Sequence, residues 1–263
     1  MSIIERSNSE TTPQGNFKIL LPDAGDLDQD EEWCEVLLDG ARKRIRFHDY
    51  HEIYEIPGLY EQLFYDTLKC ASPRMIRTQL AQVLAERGTE PAELRILDVG
   101  AGNGIVGEEL RELGAGTVFG VDLIEEAATA AHRDRPEVYD RYLVADLTDL
   151  SLDERDTLVE ANLNTLTTVA ALGFDDMPPQ AFAAAYNLIS TPGLAAFTIK
   201  EDFVTSRDAS GFSKLIRRML AEEVIRVLAE RRYQHRLSVQ GQPLYYIAYV
   251  VEKMGDIPQA WLD

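Results

Sequence analysis

The sequence predicts an α/β fold: a Rossmann-like, seven-stranded, mostly parallel sheet with a C-terminal antiparallel hairpin. From residue 95 onward, apolar runs of strand length alternate with helical patterns, which indicates a parallel sheet covered by helices on both faces. A turn with glycine at every second position joins the first of these strands to its helix, as in open α/β sheets that bind a ligand there. The chain closes with two β-rich runs around Gly241-Gln242-Pro243, which predict the hairpin.

The overall composition limits the classes of protein and partner. At 263 residues, the chain is long enough for a full hydrophobic core. It has 45 acidic and 26 basic residues, which gives a formal charge of -19. Because such a charge repels phosphate backbones and anionic lipids, we expect no nucleic-acid partner and no membrane partner. No apolar run approaches roughly 18 residues, so we expect no membrane span.

Cysteine usage and the N-terminus suggest a compartment. Cys34 and Cys70 have no metal-like spacing and are too few for a disulfide framework, which favours a reducing environment. The first residues carry neither the basic segment nor the apolar segment of a secretion signal. We therefore expect a cytoplasmic protein, and the sequence leaves a homodimer open.

Residues 1–70 are predicted to form an N-terminal region with an arm, a hairpin and an aromatic lid. Residues 1 to about 16 are polar and predict a mobile arm. Two β-rich runs flank Asp39-Gly40, which is a strong signal for a β-hairpin. The stretch from His48 to Asp66 is rich in aromatic residues whose spacing predicts short helical turns that form a lid or cover the edge of the sheet. These residues are Tyr50, Tyr54, Tyr60, Phe64 and Tyr65.

Residues 71–263 are predicted to form the domain that contains the large sheet. Its first helix starts at Ser72-Pro73, with serine as the N-cap, and ends at Gly88. Helical patterns separate the strands that follow, as parallel strands require. The five predicted strands are Arg95–Val99, Thr117–Val121, Tyr142–Ala145, Leu163–Leu172 and Leu194–Ile199.

The clearest amphipathic pattern in the chain follows the fifth predicted strand. Apolar residues from Phe212 to Leu228 fall on one stripe at helical spacing, which predicts a single long helix. The terminal hairpin is then expected to consist of Tyr233–Gln240 and Leu244–Val251.

The glycine turn restricts the kind of ligand. A phosphate-binding P-loop needs a lysine followed by a hydroxyl residue, and this turn contains no basic residue. Gly102–Gly107 does match the dinucleotide pattern G-x-G-x-x-G, and Asp122 lies 20 residues past Gly102, as expected of an acid that binds ribose. However, Asp98 closes the preceding strand, and a carboxylate there would repel a pyrophosphate.

The pattern Asp98-x-Gly100-x-Gly102-x-Gly104 resembles the first motif of class I S-adenosylmethionine-dependent methyltransferases. The resemblance extends over roughly residues 73–253, and the terminal hairpin matches the last two strands of that family.

This resemblance implies a cofactor, S-adenosylmethionine, and a set of residues that bind it. Asp122 matches the acid that holds both ribose hydroxyls, and Asp146 matches the acid near the adenine amine, with the nearby Asp149 as its alternative. The stretch from Ile96 to Leu150 resembles the small-molecule type of the family. The expected cofactor-binding residues are Asp98, Gly100, Ala101, Gly102, Asn103, Gly104, Asp122, Leu123, Asp146 and Leu147.

The residue types agree with this cofactor. It carries a sulfonium and an ammonium group but no phosphate, so carboxylates at the strand ends are tolerable and basic residues are unnecessary. Each aspartate has the alternative role of capping the next helix. Methyl transfer is an in-line displacement in which positioning alone can supply about 7–11 kcal/mol, so a fixed catalytic residue is not required.

Candidate catalytic residues nevertheless occur in three places, and candidate residues for contact with the acceptor in a fourth. Glu201 stands just past the fifth predicted strand, where open sheets form active sites, and His235 begins the terminal hairpin. Tyr54 and Tyr65 belong to the aromatic stretch, where packing is the alternative role. Asp175-Asp176 lies after the fourth strand, where this family commonly meets the acceptor, and capping of the helix at Pro178 is the alternative role.

We therefore predict an enzyme that transfers a methyl group to oxygen or nitrogen of a small molecule. His48 and His51 lack further clustered ligands, so we expect no metal. Two alternatives remain open from the sequence. One is an NAD-dependent oxidoreductase, suggested by the G-x-G-x-x-G pattern, and the other is a non-catalytic cofactor-binding protein, suggested by the lack of an evident base.

Overall fold

In the computed structural model of the protein, the chain forms two compact units. The N-terminal unit comprises Met1–Ala71 together with Gln234–Leu244, and the sheet unit comprises Ser72–Tyr233 together with Tyr245–Asp263. The structure describes residues 2–4, 17–23, 27–173, 176–204 and 211–262.

The N-terminal unit contains a four-stranded antiparallel sheet in the order β1-β2-β3-β4. The predicted hairpin is confirmed, and its two turn residues Asp39 and Gly40 have φ angles of +50° and +82°. The prediction of a mobile arm is wrong for Ser2–Ile4, because these residues pair with the second strand; residues 5–16 lie outside the described residues. The strands are β1 (Ser2–Ile4), β2 (Phe17–Leu21), β3 (Trp33–Leu38) and β4 (Ala41–Arg46).

The aromatic stretch forms the helical turns that its spacing predicts. Helix α1 spans Tyr50–Glu55, and a π-helix spans Glu61–Thr67. Tyr54 lies between Tyr50 and Tyr60, with ring centroids 6.1 and 5.1 Å away. The rings therefore pack mainly on one another, and the role of this stretch as a lid stays a prediction.

The sheet unit has the predicted seven strands in the order β10-β11-β9-β8-β5-β6-β7. Strands β5 to β9 pair in parallel, and β11 pairs antiparallel with β9. The carboxyl ends of β5, β6 and β8 are therefore neighbours at one edge of the sheet. The strands are β5 (Arg95–Val99), β6 (Thr117–Asp122), β7 (Arg141–Val144), β8 (Thr165–Leu172), β9 (Gly193–Lys200), β10 (Ile225–Leu237) and β11 (Pro243–Lys253).

Helices cover both faces of this sheet. Alternation along β5 places Ile96 in a core with helices α2 and α3, and Leu97 in a core with α6 and α7. None of the described helices is long and apolar enough to cross a membrane. The helices are α2 (Ser72–Arg87), α3 (Ile105–Leu113), α4 (Glu125–Asp134), α5 (Leu152–Glu160), α6 (Pro179–Leu188) and α7 (Phe212–Ala221).

The predicted long amphipathic helix is too long by two turns. Helix α7 ends at Ala221, and the apolar residues of the remaining stripe, up to Leu228, lie in or just before β10. Glu223 takes a left-handed φ of +55°, and the amide of Val224 donates to the carbonyl of Met219 at 2.9 Å, which closes the helix. The β-branched residues that follow then favour a strand.

Candidate active site at the carboxyl ends of the central strands

The glycine loop, Gly100–Gly104, leads from β5 into α3 and is held against β6. The amides of Gly100 and Ala101 both donate to the carbonyl of Val121, at 2.9 and 3.1 Å. Gly102 and Gly104 have φ angles of +54° and +88°, which residues with a Cβ rarely adopt. The loop therefore stands at the carboxyl ends of two central parallel strands, where open α/β sheets bind ligands.

Asp98 is a buried carboxylate next to this loop. Its side chain is 1% exposed and accepts hydrogen bonds from the hydroxyls of Thr167 and Tyr139, each at 2.7 Å. Burial raises the pKa of Asp98 to about 7, although these two hydrogen bonds act to lower it. Sequence reasoning missed both partners, since Thr167 reaches Asp98 only through the register of β5 and β8.

Asp122, at the end of β6, contacts the glycine loop directly. Its Oδ2 accepts the amide of Gly102 at 2.9 Å, and its Oδ1 accepts the amides of Leu123 and Ile124 at 2.8 and 3.3 Å. Burial raises the pKa of Asp122, while these backbone hydrogen bonds lower it. A carboxylate has about four acceptor positions, so Oδ2 keeps capacity for a ligand hydroxyl.

The remaining predicted cofactor residues differ in exposure. Asp146 is exposed, and its Oδ1 accepts from the amide and the hydroxyl of Thr148 at 2.8 and 2.7 Å, which lowers its pKa. Leu123 is 62% exposed, whereas Leu147 is 8% exposed. Asn103 is 2% exposed and lies within the loop itself.

An irregularity in β8 borders the other side of the loop. The pairing of β8 with β9 shifts between Thr168 and Leu172, and Ala170 there has a φ of +57°. The amide of Ala170 donates to the buried hydroxyl of Thr198 at 2.7 Å. A Cβ added to Gly100 would lie 2.9 Å from the Cβ of Ala171, so this bulge packs directly on the glycine loop.

Of the four candidate catalytic residues, only Glu201 belongs to the sheet unit. It follows β9, and its carboxylate accepts from the Nε of Arg232 at 2.8 Å. Tyr54 and Tyr65 lie among the packed rings of the N-terminal unit.

His235 also belongs to the N-terminal unit and is 4% exposed. Its Nδ1 lies 3.9 Å from the sulfur of Cys70, and burial with the nearby Arg236 holds its pKa well below the usual value. Asp175 lies outside the described residues, and the amide of Asp176 donates to Gly173. No three His, Cys, Asp or Glu side chains within the described parts of the chain are grouped to hold a metal ion.

A known protein family matches the part of the chain that contains this site. Residues 96–191, which include β5, the glycine loop, β6 and β8, match a family described as a methyltransferase domain. This part of the chain is similar to methyltransferase domains, in agreement with the resemblance and the enzyme class that the sequence predicts.

Solved structures resemble the fold of this chain. A S-adenosylmethionine-dependent methyltransferase from Clostridium acetobutylicum matches 75% of this chain and 96% of its own, with 14% identity and a TM-score of 0.50. A putative RNA methyltransferase from Pyrococcus horikoshii matches 68% of this chain and 83% of its own, with 14% identity and a TM-score of 0.50. At these identities the likeness shows the fold alone. No curated protein matches the chain by sequence.

The donor set at the glycine loop fits a cationic cofactor without phosphate. Asp98 and Asp122 place two carboxylates at the glycine loop, and the loop itself has no basic residue. A dinucleotide pyrophosphate would meet repulsion there, whereas ribose hydroxyls and an ammonium or sulfonium group would not. The site chemistry and the family match therefore both favour the methyltransferase over the NAD-dependent oxidoreductase.

Proposed function

We propose that this protein transfers a methyl group from S-adenosylmethionine to oxygen or nitrogen of a small molecule. The observation that carries the proposal is the hydrogen bond of 2.9 Å between the amide of Gly102 and Asp122. It keeps a carboxylate at the edge of the glycine loop, where it can accept ribose hydroxyls. We expect this aspartate to be the most sensitive residue for cofactor binding.

The cofactor site is proposed to extend along the carboxyl ends of β5, β6 and β7. Asp146 and the exposed Leu123 are proposed to border the adenine, because both follow strand ends on the side of β6 and β7. The complete proposed set is Asp98, Gly100, Ala101, Gly102, Asn103, Gly104, Asp122, Leu123, Asp146 and Leu147.

When bound, S-adenosylmethionine supplies a methyl group on a positively charged sulfur. The chain's task is then to hold the acceptor atom in line with that methyl group. An acceptor that loses a proton during transfer needs a base, and we propose Glu201, which stands at the carboxyl end of β9. Its ion pair with Arg232 keeps the carboxylate in one orientation.

The charge of the protein supports a small acceptor. A formal charge of -19 repels the phosphate backbone of RNA at long range. The low cysteine content supports a reducing compartment, and we propose a cytoplasmic location.

Isothermal titration calorimetry with S-adenosylhomocysteine tests the cofactor site. We expect micromolar binding by the wild-type protein and at least tenfold weaker binding by Asp122→Ala. Asn164→Ala is a matched control, because the Oδ1 of Asn164 also accepts a backbone amide of the sheet, from Arg95 at 2.8 Å, but at the amino end of β5. Absence of binding by the wild type, or equal affinities for Asp122→Ala and Asn164→Ala, would contradict the proposal.

The substrate class requires a separate assay. A panel of small molecules with free hydroxyl or amine groups is incubated with radiolabelled S-adenosylmethionine, alongside total RNA. We expect label in a small molecule and a loss of transfer in Glu201→Gln. Label found only in RNA would overturn the small-molecule assignment while leaving the cofactor site intact.

A further inference from the structure

The segment Arg135–Tyr142, which connects α4 to β7, runs along α3 and contacts the glycine loop. Tyr142 donates its hydroxyl to the carbonyl of Gly102 at 2.8 Å. Arg135 donates from Nη1 to the carbonyl of Asn103 at 3.2 Å. Two successive carbonyls of the loop are thus bound by side chains of one neighbouring segment.

Tyr139, in the middle of this segment, reaches the base of the loop. Its hydroxyl donates to Oδ2 of Asp98 at 2.7 Å and lies 3.4 Å from the carbonyl of Ala101. Its ring packs against that of Tyr142, with centroids 5.3 Å apart at an angle of 79°. The two tyrosines therefore support each other as well as the loop.

Three glycines leave the space that this segment occupies. A Cβ added to Gly107 would lie 2.7 Å from Cζ of Tyr139, and one added to Gly120 would lie 3.1 Å from the same ring. At Gly104 an added Cβ would lie 3.1 Å from Val138. The third glycine of the G-x-G-x-x-G pattern is thus explained by packing on Tyr139, with no dinucleotide involved.

Side chains from two elements bind the backbone of the glycine loop at Gly102. The carbonyl of Gly102 is bound by Tyr142, and its amide is bound by Asp122. On the far side of the segment, Arg111 of α3 donates to the carbonyl of Val138 at 2.9 Å and to Asp140 at 2.8 Å. The segment is therefore itself anchored along α3.

We propose that Arg135–Tyr142 is a positioning segment for the cofactor, which holds the glycine loop in its binding conformation before the ligand arrives. This inference rests on the proposed function, because it assigns the cofactor to this loop. Ordering a loop on binding costs conformational entropy, so a loop that is already ordered binds more tightly. Tyr142 is the residue on which this role depends most directly.

The test combines two measurements on the full chain. The first is amide hydrogen exchange, by mass spectrometry, of peptides that contain Gly100–Gly104 without any ligand. The second is the affinity for S-adenosylhomocysteine, by calorimetry. For Tyr142→Phe, we expect at least fivefold faster exchange in the loop and about tenfold weaker binding.

Tyr186→Phe is the matched control variant. The hydroxyl of Tyr186 also donates to a backbone carbonyl, that of Val224 at 3.0 Å, but within the core formed by α6 and α7. Its removal lowers stability without touching the loop, so loop exchange and affinity should stay at wild-type values. Arg135→Gln serves as a second variant, with a smaller increase in loop exchange, should Tyr142→Phe fold poorly.

The possible outcomes distinguish a failure of the positioning role from a failure of the proposed function. Unchanged loop exchange in Tyr142→Phe and Arg135→Gln overturns the positioning role, whatever the cofactor does. Faster loop exchange together with wild-type affinity also overturns the positioning role, because the order of the free loop would then have no effect on cofactor binding. If the wild type fails to bind S-adenosylhomocysteine, the proposed function fails, and the exchange data alone decide whether the segment holds the loop.

Discussion

Asp98 is the residue where burial and charge conflict most strongly. A carboxylate that is 1% exposed loses its hydration, and two hydroxyl donors replace only part of it. The pKa of Asp98 therefore rises to about 7, above the value near 4 expected in the unfolded chain. The folded protein binds this proton more tightly than the unfolded chain does, so ionisation of Asp98 destabilises the fold.

This conflict predicts a pH dependence of stability. As pH rises from about 4 to about 7, Asp98 should lower the free energy of unfolding by up to about 1.4 kcal/mol per pH unit. Asp98→Asn removes this contribution, so its stability should fall less between pH 5 and pH 7 than that of the wild type. Urea unfolding at several pH values measures the difference. Parallel pH profiles for the two proteins would contradict the prediction.

At the scale of elements, the bulge in β8 shapes the wall beside the glycine loop. Ala170 has a left-handed backbone, and the hydroxyl of Thr198 on β9 satisfies its amide. Bulges of this kind occur at sheet ends next to active sites, where they redirect a side chain. Here the redirected residue is Ala171, which packs on Gly100.

We expect Thr198→Val to destabilise the bulge. Valine has nearly the same shape but leaves the amide of Ala170 without its acceptor, which should cost about 1–3 kcal/mol. Thr168→Val is the control, because the hydroxyl of Thr168 donates to a weak acceptor, the sulfur of Met177 at 3.9 Å, and its loss should cost less. Denaturant unfolding gives both values, and an equal cost for the two variants would show that the Thr198 hydrogen bond does not hold the bulge.

At the scale of the whole molecule, the N-terminal unit is assembled from two distant parts of the chain. Glu32 and Arg236, which are 204 residues apart, form a buried ion pair at 2.5 Å. Glu32 also accepts the amide of Val239 at 2.7 Å. The tip of the C-terminal hairpin is thereby part of the core of the N-terminal unit, which explains why this unit includes residues 234–244.

Breaking this pair should be costly. Glu32→Gln leaves the guanidinium of Arg236 buried without its carboxylate, and we expect a loss of about 3–5 kcal/mol in the free energy of unfolding. Glu52→Gln breaks the exposed pair with Lys43, at 3.5 Å, and should cost less than about 1 kcal/mol. Hydrogen exchange in the strands of the N-terminal unit reports the effect locally. A Glu32→Gln variant as stable as Glu52→Gln would refute the structural importance of the buried pair.

Local sequence patterns were sufficient for much of the architecture. Alternating strand and helix signals predicted the seven-stranded sheet, and Asp39-Gly40 predicted the N-terminal hairpin. The helix predicted up to Leu228 was wrong because the same apolar spacing continues into β10, where a left-handed residue has already ended the helix. The strand β2 was not predicted, because a single short apolar run does not indicate which strand it pairs with.

The sequence by itself determined the composition of the glycine loop: glycines at alternate positions, an acid before them and a second acid at the end of the next strand. These features depend on residues close together in the chain, where backbone preferences decide the conformation. Only the tertiary structure placed Thr167 on Asp98 and Tyr142 on Gly102, across separations of 69 and 40 residues. Strand register and the packing of Tyr139 against two glycines decide those contacts, and such long-range packing leaves no periodic signal in the sequence.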